Sequence, residues 1–159
     1  SLVRAYRDGN DKDARSAMAC GSMMAGLTMN ISDCSAEHSL AQAIGGEFHV
    51  PHGLTIGLIF AETLEREQAH VPEQLERVAD ALGVPQDGSG DGSRAVRGIK
   101  DILRELDFPV LSSLGVEDGH LDRLTELAQA DYFITQAPEP WSDAEVRAAF
   151  ERALAITSR

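Results

Sequence analysis

Apolar positions recur along this chain at spacings of three and four, the period of helices buried on one face. Nowhere do apolar and polar residues alternate long enough to mark a strand. The first residues, through about Arg7, read as the end of a helix, and Asp8-Gly9-Asn10 as a turn. Asp11 can cap a long helix to about Thr28, with Asp13 in its first turn, where the helix dipole favours an anion. Its apolar positions include Ala14, Met18, Met23, Ala25 and Leu27, and Gly21, Ala25 and Gly26 are small enough to admit a neighbouring backbone. Ser32 or Asp33 is expected to cap the next helix, which Gly45-Gly46 would stop after Ile44. A strongly apolar helix then opens at His52-Gly53. It runs through Leu54, Ile56, Leu58, Ile59 and Phe60 and turns charged only at Glu65-Arg66-Glu67, so its first half is expected to be buried.

Pro72 begins another helix, to about Leu82. Residues 85–93, Pro-Gln-Asp-Gly-Ser-Gly-Asp-Gly-Ser, have the composition of a flexible surface loop. Arg94 to Leu106 is amphipathic, with Val96, Ile99, Ile102, Leu103 and Leu106 on the inward side. Helices near 117–130 and 142–156 complete the chain, the last opened by a capping box of Ser142 and Glu145. The pattern predicts an all-α bundle of about six or seven helices, forming one domain over residues 1–159 without internal repeats.

Composition narrows the partners. Fourteen basic residues stand against 26 acidic ones, a net charge of −12, which leaves no basic surplus for a phosphate backbone, so no nucleic-acid partner is expected. No apolar run approaches the ~20 residues of a membrane span, and the N-terminus has no signal-peptide core. A cytoplasmic protein is expected. Ser1 is not a methionine and the opening residues read as a helix cut through, so the chain is expected to be a fragment. Cys20 and Cys34 could pair, but two free, buried thiols are expected in a reducing compartment.

The candidate chemistry lies at residues 38–53, which hold His38, His49 and His52. His38 falls within a helix and His52 at the start of the next, so two imidazoles can converge on one metal ion. Cys34, His38 and Gln42, four residues apart, share one helix face. Pro51 fixes the backbone before His52, and Gly53 allows close approach of another segment or a ligand. Glu37 directly precedes His38 and is expected to point elsewhere on the helix. Spacing alone leaves two readings of His38 and His52 open: metal ligands, or half-buried histidines satisfied by hydrogen bonds. His49 is read as solvent-facing or as a neighbour of the site, and His70 and His120 as surface residues. There is no His-Glu-x-x-His and no Cys-x-x-Cys. The glycine-rich run at 88–92 lacks the preceding strand and lysine of a phosphate cradle, and reads as a linker.

The run Ala-Gln-Ala-Ile-Gly-Gly-Glu-Phe-His-Val-Pro-His-Gly at 41–53, with His38 before it, resembles the signature of the iron-containing (group III) alcohol dehydrogenases. In that pattern the two ligand histidines lie fourteen positions apart, as His38 and His52 do. The resemblance covers almost the whole chain: Asp11 to Gly26, Glu73 to Gly83, Leu106-Asp107-Phe108-Pro109 with Leu114-Gly115-Val116, Asp131-Tyr132 to Pro138, and the helix from Ser142 all match in order. It implies the all-helical C-terminal, dehydroquinate-synthase-like domain of an oxidoreductase whose N-terminal nucleotide-binding domain precedes Ser1. It also implies an Fe²⁺ or Zn²⁺ site with His38 and His52 as two of the ligands, and NAD or NADP bound mainly by the N-terminal domain. The implied substrate is a small alcohol, aldehyde or ketone, and the implied assembly a homo-oligomer. A zinc-dependent relative of the glycerol dehydrogenases and a non-enzymatic helical module are the other readings. Two departures stand out. Gln42 occupies the place of a second histidine that is assigned in the family to proton relay, making Gln42 the candidate catalytic position, and Met29 to Cys34 differ from the commoner pocket-lining residues.

Overall fold

The computed structural model describes residues 1–156. Eight α-helices and three short 3-10 helices account for its regular structure, with no strand among the described residues. The class is the all-α one predicted, with more helices than the six or seven expected. The chain divides into two compact units, 1–34 and 35–156.

The first unit holds α1 (Leu2–Arg7) and α2 (Lys12–Ser32). Asp11 caps α2 as expected: its carboxylate accepts from the Ala14 N–H at 2.9 Å. It also accepts from the Arg4 guanidinium at 2.7 Å, which ties α1 to α2. The Ala14 N–H, helped by Arg4, holds the Asp11 carboxyl below its ordinary range. At its far end α2 corrects the sequence reading. It continues past Thr28 to Ser32, whose hydroxyl donates back to the Thr28 carbonyl and so belongs to the helix end, not to a new start. Asp33 is the C-cap of α2, at φ 62°. Met23, Met24, Leu27 and Ile31 along this helix are exposed. Cys20 and Cys34 form no disulfide; Cys34 is buried, but Cys20 is exposed where burial is expected.

The second unit holds α3 (Ala36–Phe48), α4 (His52–Glu67), α5 (Pro72–Leu82), α6 (Ser93–Glu105), α7 (Leu121–Gln129) and α8 (Asp143–Ala155). α3 packs between α4 and α7, and α8 closes over the same pair. Leu40, Ile44, Leu58, Ile59, Leu121, Leu124, Val146 and Phe150 form the centre, each almost wholly removed from water. Leu58 and Ile59 of α4 lie there, but the expected burial of the whole first half is corrected: His52 and Gly53 are exposed and Leu54, Ile56 and Phe60 half-buried, while Glu62, Thr63 and Glu67 of the polar end are buried because α6 and α8 pack against that end.

The Gly45-Gly46 pair does not stop α3. The helix runs through both glycines to Phe48 and ends on His49, a left-handed residue at φ 54°. Gly45 serves a close approach instead: a Cβ there would sit 3.4 Å from the Val50 carbonyl oxygen and 3.8 Å from Thr55 of α4. The pattern predicts a glycine cap here, and the fold uses the missing side chain for packing instead.

α8 starts on the predicted capping box. Ser142 accepts from the Glu145 N–H, and the Glu145 carboxylate returns to the Ser142 N–H at 2.8 Å. Arg66 of α4 donates to Glu145 at 3.0 Å. The Ser142 bonds and Arg66 together lower the Glu145 pKa to about 2. Arg66 also lies over the Trp141 ring, whose N–H donates to Glu67 at 2.7 Å, so the end of α4 and the entry to α8 are fastened at one place.

α5 and α6 form a satellite around Leu75, Ala79 and Ala95. Its centre is charged. Arg94, 0 % exposed, donates to Glu76, to Asp80 at 2.9 Å, and to the carbonyls of Pro85 and Val84. The surface loop after α5 is thus anchored by a residue the sequence places only at a helix start. Glu62, a buried carboxyl, faces Lys100 of α6 at 3.5 Å and Arg152 of α8 at 3.6 Å. Burial pushes its carboxyl above the ordinary range, against the pull of Lys100.

Candidate functional site

His38 stands in the first turn of α3 and His52 is the first residue of α4. The rise from residue 38 to residue 48 of a helix is about 15 Å, so neighbours in sequence would not bring the two rings together. The chain must double back through 49–51. His49 takes the left-handed conformation that reverses direction, and Pro51, at φ −55°, sets the entry to α4. The Thr55 hydroxyl donates to the His52 carbonyl at 2.8 Å, fixing the first turn of α4 beneath Gly45. The result is a pair of imidazoles with ring centres 5.3 Å apart, tilted by 45°.

His38 is held on two sides. Its ring meets Phe133 edge-on at 5.7 Å between centres. Its Nδ1 lies 3.1 Å from Glu37 Oε1, so Glu37 turns toward the imidazole, against the expectation that it points elsewhere. Phe133 is placed in turn by Asp131, whose Oδ1 accepts from the Phe133 N–H at 2.9 Å and from the Ser39 hydroxyl at 2.7 Å. Glu37, Ser39 and Phe133 are absent from the candidate residues read in the sequence. A long carboxylate beside a histidine in a helix's first turn is a signal that spacing rules for mid-helix residues conceal. The contact of residues 39 and 131 leaves no local mark at all.

Gln42 is exposed one turn beyond His38. It lines an open cleft of about 360 Å³ with Ala43, Gly46, Glu47, Leu127 and Asp131, on the flank of the frame that carries Phe133. His49 is exposed and shapes the backbone of the turn. His70 is at the surface as expected. His120 corrects its reading: its ring packs edge-on against Phe48 at 5.1 Å, and its Nδ1 accepts the Glu117 N–H at 3.0 Å in a capping box.

Metal–nitrogen bonds of about 2.1 Å place the centres of two imidazoles on one tetrahedral ion about 5 Å apart, and the observed spacing fits that. Two neutral nitrogen donors suit Fe²⁺ or Zn²⁺ and make half of a four-donor set. Among the described residues no group of three or more histidine, cysteine, aspartate or glutamate side chains could hold a metal ion. No helix among them is long and apolar enough to cross a membrane.

The helical architecture and the paired histidines at 38 and 52 define the class. The chain belongs to the Fe-containing alcohol dehydrogenase family, whose C-terminal pattern matches residues 1–154. It is 30 % identical over 133 residues to the choline dehydrogenase of Bacillus subtilis (strain 168), covering 82 % of this chain and 33 % of that protein. It is 28 % identical over 162 residues to long-chain-alcohol dehydrogenase 1 of Geobacillus thermodenitrificans (strain NG80-2), covering 99 % of this chain and 41 % of that one. Among solved structures, a 1,3-propanediol oxidoreductase superposes with a TM-score of 0.92 at 25 % identity, over 96 % of this chain and 41 % of the other. An archaeal halo-thermophilic alcohol dehydrogenase from a Red Sea brine pool gives 0.88 at 32 % identity, with the same coverage. The chain therefore spans well under half the length of these relatives.

Proposed function

We propose that this chain is the C-terminal helical domain of a metal-dependent, NAD(P)-linked alcohol dehydrogenase. In this reading His38 and His52 hold a divalent ion, Fe²⁺ or Zn²⁺, together with donors from residues outside this chain. The observation that carries the proposal is the convergence of the two imidazoles, 5.3 Å apart, in a chain of this family. When bound, the ion supplies Lewis-acid polarisation of the oxygen of a small alcohol, aldehyde or ketone, while the nicotinamide exchanges a hydride with the carbon.

This chain's own residues orient and confine. Phe133 and Glu37 fix the plane of the His38 ring, and the Thr55 bond fixes the helix turn that carries His52. Gln42 offers an amide that can donate or accept a hydrogen bond in the adjoining cleft but cannot take up a proton near neutral pH. A proton path through this position would therefore need water.

The test is made on the full-length protein, with metal content measured after purification and nicotinamide reduction followed with simple alcohols. His38→Ala and His52→Ala are each expected to lose most of the metal and all measurable turnover while keeping the helical circular dichroism of the parent. Unchanged metal content in both variants would overturn the reading. Metal analysis of the parent separates the iron from the zinc alternative.

A further inference from the structure

We propose that Glu37 is a positioning residue for His38, fixing the ring so that Nδ1 carries the proton and Nε2 presents its lone pair to the metal. The inference rests on the proposed metal-binding role of His38.

Consecutive residues on a helix do not face each other. Glu37 reaches His38 because it lies in the first turn of α3, where the preceding backbone is not helical and leaves room for a side chain to fold back. Ser35, the N-cap residue, makes no side-chain capping bond. Its N–H donates to Glu37 Oε1 at 3.3 Å instead, drawing the carboxylate toward the helix start. The same oxygen lies 3.1 Å from His38 Nδ1. An ionised carboxylate can only accept hydrogen bonds, so Nδ1 is the donor and the free lone pair is on Nε2. Both side chains are about four-fifths buried, at 19 % and 22 % exposure, which limits competition from water. Phe133 closes another side of the ring, so the imidazole has little freedom to turn over. Carboxylate partners of this kind commonly orient metal-bound histidines, and removing one typically costs about 10- to 100-fold in metal affinity.

A role confined to capping α3 would need only the Ser35 N–H, and the two roles separate experimentally. In Glu37→Gln the amide oxygen can still accept from Ser35, but the amide can also donate to Nδ1, so the tautomer is no longer imposed. In Glu37→Ala both bonds are lost. The full-length protein would be stripped of metal and titrated with Zn²⁺ against a chromophoric chelator, and the His38 tautomer read from ¹⁵N ring shifts of histidine-labelled, metal-free protein.

The expected result is an Nδ1-protonated His38 in the parent and a mixture of tautomers in both variants. Zn²⁺ affinity should fall about 10-fold in Glu37→Gln and toward about 100-fold in Glu37→Ala, with the unfolding midpoint of metal-free Glu37→Gln unchanged. If His38→Ala loses Zn²⁺ while both Glu37 variants bind as the parent does, the role of Glu37 is overturned and the metal reading stands. If His38→Ala itself leaves Zn²⁺ affinity unaltered, the metal reading falls and this inference falls with it.

Discussion

Ser39 donates its hydroxyl to Asp131 at 2.7 Å across ninety-two residues of sequence, and that bond lies one residue beyond His38. Ser39 is wholly buried, so it has no water to replace a lost partner. The same Asp131 oxygen holds the Phe133 N–H, which sets the aromatic edge against the imidazole. A buried hydroxyl and a half-buried carboxylate thus couple the start of α3 to the segment after α7.

Asp131→Ala strands the Ser39 hydroxyl and releases Phe133, and is expected to cost about 1–3 kcal/mol of stability. Removing the hydroxyl as well, in Ser39→Ala with Asp131→Ala, should recover part of that loss, because no buried donor is left unmade. Urea unfolding of the two single variants and the double variant measures the coupling. Strict additivity would show that the bond contributes nothing beyond its separate ends.

Arg94 is fully buried, with four acceptors around its guanidinium. Arg94→Ala leaves Glu76 Oε2 and the carbonyls of Val84 and Pro85 without the guanidinium, and should destabilise by roughly 3–5 kcal/mol. Arg94→Lys should recover little, since an ammonium cannot span the fork of acceptors that a planar guanidinium does. Denaturant midpoints compare the three proteins. A lysine variant as stable as the parent would mean that charge, not fork geometry, holds α5 to α6.

The Glu62 carboxyl is buried among Glu65 on its own helix, Lys100 of α6 and Arg152 of α8, and burial raises its pKa in the folded chain. A carboxyl raised on folding favours the protonated native state. Its contribution is therefore whole below the ordinary carboxylate pKa of ~4.3 and declines as pH rises through the raised value. Glu62→Gln keeps the group neutral throughout and should flatten the corresponding fall in melting temperature. Parallel curves for parent and variant would show that the two cations hold Glu62 ionised at no cost.

Gln42 invites a gain-of-group experiment. If the full-length protein has the proposed activity, Gln42→His is expected to add a titration near the ~6.5 of an unperturbed imidazole to the pH dependence of turnover. Metal content should barely change. An unaltered profile would place the proton path elsewhere, and a loss of metal would bring Gln42 among the ligands.

Much of the fold is legible in the sequence because its signals are local. The α2 cap at Asp11, the Pro72 start and the Ser142–Glu145 box all depend on residues within one turn of each other. Sequence and structure part where one residue type serves two purposes. Gly45 has the conformational freedom of a helix cap but serves through its lack of a side chain, so α3 runs on to Phe48. Ser32 has the hydroxyl of a helix start but is bonded backward into α2. For the site, the fourteen-residue spacing and the family resemblance named His38 and His52. The groups that hold His38 were invisible for different reasons: Glu37 because the helix rule fails in the first turn, and Asp131 with Phe133 because only the tertiary fold brings them near.

Gly57 carries a consequence for how this sequence can drift. A Cβ at that position would overlap the Phe108 ring, which packs onto the core beside α4. The two positions are therefore not free to vary separately. Among relatives that keep this packing, a larger residue at 57 should be accompanied by a smaller one at 108. Gly57→Ala should be poorly tolerated alone and rescued by Phe108→Leu, making this contact a covarying pair that sequence comparison could detect without any structure.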